Sequence, residues 1–551
     1  VTDTTTVELA IKSAHQTRTP RVQAPPFNVT TDSQGNQVVE LMNLKLINDI
    51  RNCTSNLENL YDKVPKIEVS SLFDELPSLQ SELADSPRNP ALIRLVRFLE
   101  AEFQMEMDRC KSMVSSGVVS FSALRLLLKP GTEVALQGAH IQGAKIVETE
   151  YRSSFFGSYL EITYEYITSN GREFSNAREH VYISGYRGVK DITKLNAMPM
   201  TDQIKARLTE RGTKYLKLGV GSHYMHFTGH MEVMKWYSYT PMRASGRMMV
   251  DLFTHNQFRD GGDRNIRRGD QTSFQRIEPD QLWMTEPYVN GFSFTAKQWG
   301  RFPVDNISDI EFRSDAYNQL VMDPERKAMV RALVEDSSSG FSDIIAGKGG
   351  GCIFLLHGEP GTGKTLTAEA VSELLHRPLY SVSVGELGTD TTTLEKNLRQ
   401  ILDVAQIWNA VILIDEADIF LEKRTGGDIL RNAMVGIFLR LLEYHQGVMF
   451  LTTNRVREFD TAFHSRISVA MRYAALNREA RESIWRNLLA AAQIDGLDPA
   501  TLAEHEINGR QIKNTIRLAQ SLARQEGVQV AAGHITRCLG VSQQFVRDLA
   551  E

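Results

Sequence analysis

The chain has 551 residues, room for three or four folding units at about 150 residues each. Its 42% hydrophobic content is that of a globular protein and excludes disorder throughout. Lys and Arg number 62 against 67 Asp and Glu, so a net charge of -5 supplies no global attraction to nucleic acid or anionic lipid and leaves only local basic patches open.

Cys53, Cys110, Cys352 and Cys538 lie far apart with no CxxC pair, which argues against a disulfide scaffold or a structural zinc site. No apolar run approaches the roughly 20 residues needed for a membrane span. The expectation is a soluble, intracellular protein, cytoplasmic or nuclear, with an organelle leader left open because the chain starts at Val1.

In chain order, residues 1–40 are rich in Thr, Gln, Asn and Pro and read as a mobile arm. Residues 41–258 read as an α+β, mostly β, partner-binding domain. Leu92, Leu95, Phe98, Leu99 and Phe103 recur at helical spacing, then period-two patterns at 132–136, 141–150, 159–167 and 181–186 predict strands. Asn170-Gly171 predicts a hairpin, and 215–220, 232–239 and 248–253 are further strand candidates. His223, His226 and His230 are read as ordinary sheet histidines, since residues three apart on a strand face opposite ways.

Residues 259–300 read as linker and connector. Arg259, Arg264, Arg267, Arg268 and Arg276 are interleaved with Asp260, Asp263 and Asp270, a self-neutralised loop composition that argues against nucleic acid as a partner. From 301 to 471 helices (314–334, 364–375, 393–407, 429–443) alternate with strands (352–357, 379–384, 410–415, 447–452), which predicts a parallel sheet covered by helices. Residues 472–551 are helical and read as a lid. With its own sheet and lid, this C-terminal part is expected to stay folded and to bind nucleotide after removal of 1–258.

The strongest chemical signal is Gly358-Glu359-Pro360-Gly361-Thr362-Gly363-Lys364-Thr365, between an apolar strand and a helix that begins Lys364-Thr365-Leu366. The glycines let backbone N–H groups wrap phosphates, Lys364 reaches the β/γ oxygens, and Thr365 is a candidate Mg²⁺ ligand. The strand 411–415 ends in Asp415-Glu416, assigned to the Mg²⁺ shell and to polarising the attacking water. A later strand runs into Thr452-Thr453-Asn454, and Asn454 is placed to position water or the γ-phosphate.

The P-loop, Asp415-Glu416-Ala417-Asp418, Thr453-Asn454-Arg455 and the helical lid together resemble an AAA+ ATPase module over residues 301–551. Asn432-Ala433-Met434, Leu441-Leu442-Glu443-Tyr444, Thr452-Thr453-Asn454-Arg455 and Phe463-His464-Ser465-Arg466-Ile467 are similar to the wording of fungal AAA-type ATPases that carry an N-terminal domain of unknown function. The resemblance implies a P-loop NTPase fold, ATP and Mg²⁺ as cofactors, and self-association into a homo-oligomeric ring, a hexamer in the family's pattern. It also implies ATP-driven remodelling of a protein client held by the N-terminal domain. Catalysis falls to Glu416, Asn454, Arg466 and Lys364; nucleotide binding to residues 358–366, Asp415 and Arg510; metal to Thr365 and Asp415. Arg466 corresponds to the finger that completes a neighbour's site, and Arg510 to the sensor at the start of a lid helix. A clamp loader or helicase, and an ATP-dependent scaffold, are the competing readings. The loop at 385–391 lacks the aromatic residue of protein-threading relatives, leaving Leu387 as a weak grip.

Overall fold

The computed structural model describes residues 25–31, 37–54, 57, 59–85, 89–155, 157–236, 238–258, 273–336, 351–422, 428–455 and 461–550. The readings of the arm before residue 25 and of the Arg-rich stretch at 259–268 fall outside them. The chain divides into two compact units, residues up to 134 with 146–163 and 180–199, and residues 135–145 and 164–179 with 200–551.

In the first unit, strands Phe27–Thr31, Gln37–Leu41 and Lys66–Glu68 form a three-stranded antiparallel sheet. Helices Leu44–Cys53 and Pro90–Ser115 start behind Asn43 and Asn89, whose side chains accept the free N–H groups of the first turn. The helical spacing of Leu92, Leu95 and Leu99 becomes a fully buried stripe, packed with Val39, Leu46 and Leu72. A six-stranded sheet runs in the order Ala197–Pro199, Glu133–Leu136, Gln142–Ser154, Gly157–Ser169, Phe174–Ser184, Ser273–Phe274, and its long strands contribute residues to both units. The Asn170-Gly171 turn closes as expected: the Asn170 side chain accepts from the N–H groups of Arg172 and Glu173, and Gly171 takes φ 89°.

In the second unit, residues 202–218 form one helix (Asp202–Leu218) capped by Thr201. This corrects the strand expected at 215–220. Leu208, Tyr215 and Leu218 lie at helical spacing on its buried face, so the apolar residues at 215–218 are the tail of a helical stripe.

The rest of the β region is a single antiparallel sheet of strands β1 (Ser222–Phe227), β2 (His230–Lys235), β3 (Ser238–Arg243), β4 (Gly246–Asp251), β5 (Tyr288–Ser293), β6 (Gln298–Pro303) and β7 (Ile307–Ser308). Its order is β3-β2-β6-β5-β4-β1-β7. Thus the segment expected as linker and connector supplies the hairpin β5–β6 inside this sheet, paired to β4 through Met248–Val250 and to β2 through Glu232. Phe227, Met231, Met248, Val250, Val289 and Phe302 make its core.

The nucleotide-binding fold follows. Strands β8 (Cys352–Gly358), β9 (Leu379–Ser383), β10 (Val411–Asp415), β11 (Val448–Thr453) and β12 (Val469–Tyr473) form a parallel sheet in the order β9-β10-β11-β8-β12. Its helices are α1 (Pro324–Asp336), α2 (Lys364–Leu375), α3 (Val384–Leu387), α4 (Thr391–Ile407) and α5 (Ile429–Leu442). The helix predicted from 314 begins only at Pro324, whose ring fixes φ for a first turn and has no N–H to leave unpaired. The lid is α6 (Arg478–Ala491), a single turn at Pro499–Leu502, α7 (Gly509–Glu526) and α8 (Ala532–Ala550) around Trp485, Leu489, Ile512, Ile516 and Ile535.

The seven-stranded sheet and the parallel sheet share one core. Met249 and Phe292 pack with Val382, Leu398, Val404 and Trp408. Phe292 stacks on Tyr380 with ring centres 5.3 Å apart, and the Trp408 Nε1–H donates to the buried Asp251 carboxylate at 2.8 Å. Arg247 pairs with Glu373 at 2.9 Å and Lys297 with Glu386 at 2.6 Å. This packing opposes the expectation of an independent core after residue 258.

Candidate nucleotide-binding site

The strand β8 ends at Gly358, whose φ of 142° and approach to Tyr473 leave no room for a side chain: a Cβ would sit 2.0 Å from the Tyr473 carbonyl oxygen. The loop turns through Gly361 at φ 76° and Gly363 at φ 103°, both in conformations that favour glycine. Gly363 caps α2 without a side chain, so the first-turn N–H groups of α2 have no side-chain cap. Lys364 is 7% exposed and its Nζ donates to the Gly358 and Glu359 carbonyls at 2.9 and 2.7 Å. Burial lowers its pKa, while the carboxylates of Asp415 and Asp418 work in the opposite direction. Thr362 ties the loop to Glu359 O, and Leu366 stands 54% exposed on the first turn of α2.

The end of β10 comes alongside. Thr365 Oγ1 lies 3.3 and 3.4 Å from the two carboxylate oxygens of Asp415. The next residue, Glu416, has φ 55°, a left-handed conformation that costs a non-glycine residue about 1–3 kcal/mol. Neighbouring β11 holds it: the Glu416 N–H donates to Thr452 Oγ1 at 3.1 Å and the Ala417 N–H to the Thr452 carbonyl at 2.9 Å. The Thr452 hydroxyl in turn donates to Asp415, and the Thr453 hydroxyl donates to Asp418. Beyond Glu416 opens a cavity of about 580 Å³ lined in part by Asp418, Glu422, Arg431 and Arg455.

Asn454 is exposed directly after β11, and Arg455 Nη1 pairs with Glu422 at 2.6 Å. The lid arrives through the start of α7, where Asn508 and Gln511 form a reciprocal cap and the Gly509 N–H donates to the Gly361 carbonyl at 3.0 Å. Arg510, exposed on that first turn, is near enough for its charge to push the Lys364 pKa further down. Glu369 on α2 has its pKa raised by burial, with Lys513 opposing. Arg466 is elsewhere engaged: it pairs with Glu443 at 3.1 Å and donates to the carbonyls of Leu439 and Ala462, and none of its hydrogen bonds reaches the P-loop. Thus Lys364, Thr365, Asp415, Glu416 and Arg510 converge, and Arg466 does not join them within one chain.

Sequence reasoning missed Thr452 and Asn508. Thr452 stood in the Thr452-Thr453-Asn454 run, but only strand order puts its hydroxyl beside Asp415. Among the described residues no group of three or more His, Cys, Asp or Glu could hold a metal ion; His223 Nε2 lies 2.7 Å from the Val220 carbonyl oxygen.

Residues 354–474 match the family described as ATPase family associated with various cellular activities (AAA), and residues 109–203 match a domain of unknown function (DUF7025). The chain is 28% identical over 232 residues to human ATPase family AAA domain-containing protein 3B, covering 39% of this chain and 34% of that protein. It is 30% identical over 201 residues to the Mitochondrial sorting homolog of Caenorhabditis elegans, covering 34% of this chain and 58% of that protein. Similarity to the mitochondrial Lon protease homolog of Scheffersomyces stipitis is 26% over 288 residues, 48% of this chain and 25% of that protein. The chain therefore spans from a quarter to under two thirds of the length of these relatives. The P-loop, the carboxylates closing β10 and the Thr-Thr-Asn run that follows from β11 lie inside the matched segment, so residues 354–474 carry an AAA-family domain, preceded by a region that includes the separate match at 109–203.

Proposed function

We propose that this protein binds and hydrolyses ATP and, assembled as a homo-oligomeric ring, couples turnover to remodelling of a protein client held by its N-terminal region. The observation that carries the reading is the pair of hard oxygen ligands, Thr365 Oγ1 and Asp415, 3.3 Å apart beside the buried Lys364 ammonium. A hydroxyl and one carboxylate suit Mg²⁺, which takes few protein ligands and completes its shell with water and phosphate. Mg²⁺ held there would neutralise charge on the phosphate oxygens.

The chain's own groups do the rest. Lys364 gives up its carbonyl contacts to the β/γ oxygens, and the free N–H groups of the loop and α2 bind the remaining phosphate charge. Glu416 takes a proton from the attacking water as its oxygen bonds to the γ-phosphorus, the bond to the β–γ bridging oxygen breaks, and ADP leaves with that oxygen. Asn454 orients the water. Arg510 senses the γ-phosphate as the lid closes. Arg466, turned away from its own P-loop, acts on the site of the next subunit, which is what a six-membered ring would provide.

Leu387 is fully buried in α3, behind a Ser383–Glu386 capping box, and Glu386 is paired with Lys297. That supports remodelling without a gripping loop at this position. Two relatives carry mitochondrial names, and imaging of the natural full-length protein against a mitochondrial marker tests that compartment. The functional test is a pair of variants: Lys364→Ala should lose nucleotide binding, and Glu416→Gln should bind ATP without turning it over. Wild-type turnover by the Gln variant would remove Glu416 as the base.

A further inference from the structure

We propose that Thr452 is a positioning residue for ATP hydrolysis: its single hydroxyl, reaching across from the neighbouring strand, holds Glu416 in its left-handed conformation and fixes Asp415 at the same time. The inference rests on the reading of Glu416 as the base.

Three observations converge on this hydroxyl. Glu416 is exposed and adopts φ 55°, a backbone state that persists in a non-glycine residue only where neighbours enforce it. Its N–H is enforced from β11 by Thr452 Oγ1 at 3.1 Å, while the main chain of Thr452 holds Ala417 at 2.9 Å. The same Oγ1 donates its proton to Asp415, the carboxylate that Thr365 approaches from α2. Thr452 is 2% exposed, so water has no free access to replace it. A hydroxyl both accepts and donates, which this position requires: it receives the Glu416 N–H and supplies the Asp415 oxygen. Valine has the same shape and neither capacity. With it, the Glu416 N–H loses its acceptor, Glu416 relaxes toward negative φ, and its carboxylate swings off the line of attack.

Misplacing a catalytic group by about 1 Å costs about 100-fold in rate. The experiment uses the full chain with Thr452→Val, Thr452→Ala and Thr452→Ser, and Glu416→Gln as reference. For each, kcat and KM for ATP are measured, with the Kd of a fluorescent ATP analogue and the melting temperature. The expected result is a fall in kcat of about 100-fold for Val and Ala, a nucleotide Kd within about 3-fold of wild type, and recovery of kcat to within about 3-fold by Ser. A kcat for Val or Ala within 3-fold of wild type, while Glu416→Gln is inactive, overturns the positioning role and leaves the ATPase reading intact. Parallel loss of nucleotide binding overturns it too, since the residue would then serve the P-loop. If Glu416→Gln itself turns over normally, both readings fall. Should Val not fold, Ala carries the test; if neither folds while Ser does, the hydroxyl is a folding requirement and the positioning role is overturned.

Discussion

Truncation at residue 258 is the perturbation in which local pattern and packing disagree most. A fragment 259–551 keeps the parallel sheet, the lid and the hairpin β5–β6, but loses β1 to β4. The hairpin would then be stripped of β4 on one side and β2 on the other, together with the apolar face formed by Phe227, Met231, Met248 and Val250. Val289, Phe302 and Val304 are at most 1% exposed in the intact protein, and Phe292 is 5% exposed. Uncovering a buried side chain of this size costs about 1.5–3 kcal/mol, so four of them amount to about 6–12 kcal/mol. That is comparable with the whole net stability of a domain, about 5–15 kcal/mol. Trp408 would also lose the Asp251 carboxylate its indole donates to. Soluble yield, size-exclusion profile and binding of a fluorescent ATP analogue are compared between 259–551 and the full chain. The fragment is expected to aggregate or to bind nucleotide poorly. A monodisperse 259–551 with the full chain's melting temperature and ATP affinity would refute the shared-core argument.

Arg466→Ala should spare ATP binding in its own subunit and slow hydrolysis in the adjacent one by about 10³- to 10⁵-fold, far beyond the effect of losing its pair with Glu443. Mixing it with Lys364→Ala subunits should restore activity if the arginine works in trans, and inactive fully mixed assemblies would rule that out. Leu387→Ala removes a fully buried side chain and should lower stability by about 2–5 kcal/mol, read by denaturant midpoint, instead of weakening a grip on a client; an unchanged midpoint contradicts the burial. His445 is buried beside Gly351 and burial lowers its pKa to about 4, against about 6.5 unfolded. Below pH 6.5 the unfolded chain takes up the proton that the folded one refuses, so stability falls from pH 6.5 to 4 by up to about 3 kcal/mol. His445→Gln should flatten that acid limb, and an unaltered slope would exclude His445 as its source.

The sequence alone determined what depends on contiguous residues. The P-loop is legible because its chemistry is a local backbone path: glycines at 358, 361 and 363 take the positive φ the turn requires, and Lys364-Thr365 follow on the helix they introduce. The strand ends at Asp415 and Thr453 were legible for a similar reason, since a short apolar run bounded by polar residues marks a buried parallel strand and its open end. Only tertiary structure decided the rest, because those features depend on pairing between distant segments. Residues 288–303 look like a connector by composition and become a hairpin in the sheet through their register with 248–250. Leu387 looks like a loop residue, yet the Lys297–Glu386 pair and the core around Leu394 fold its turn inward. Thr452 is one hydroxyl among many until strand order sets β11 against β10; then it meets Glu416 and Asp415 together. Local propensity fixes φ and the buried stripe, whereas the energy that chooses a partner strand is released only when both strands are in place.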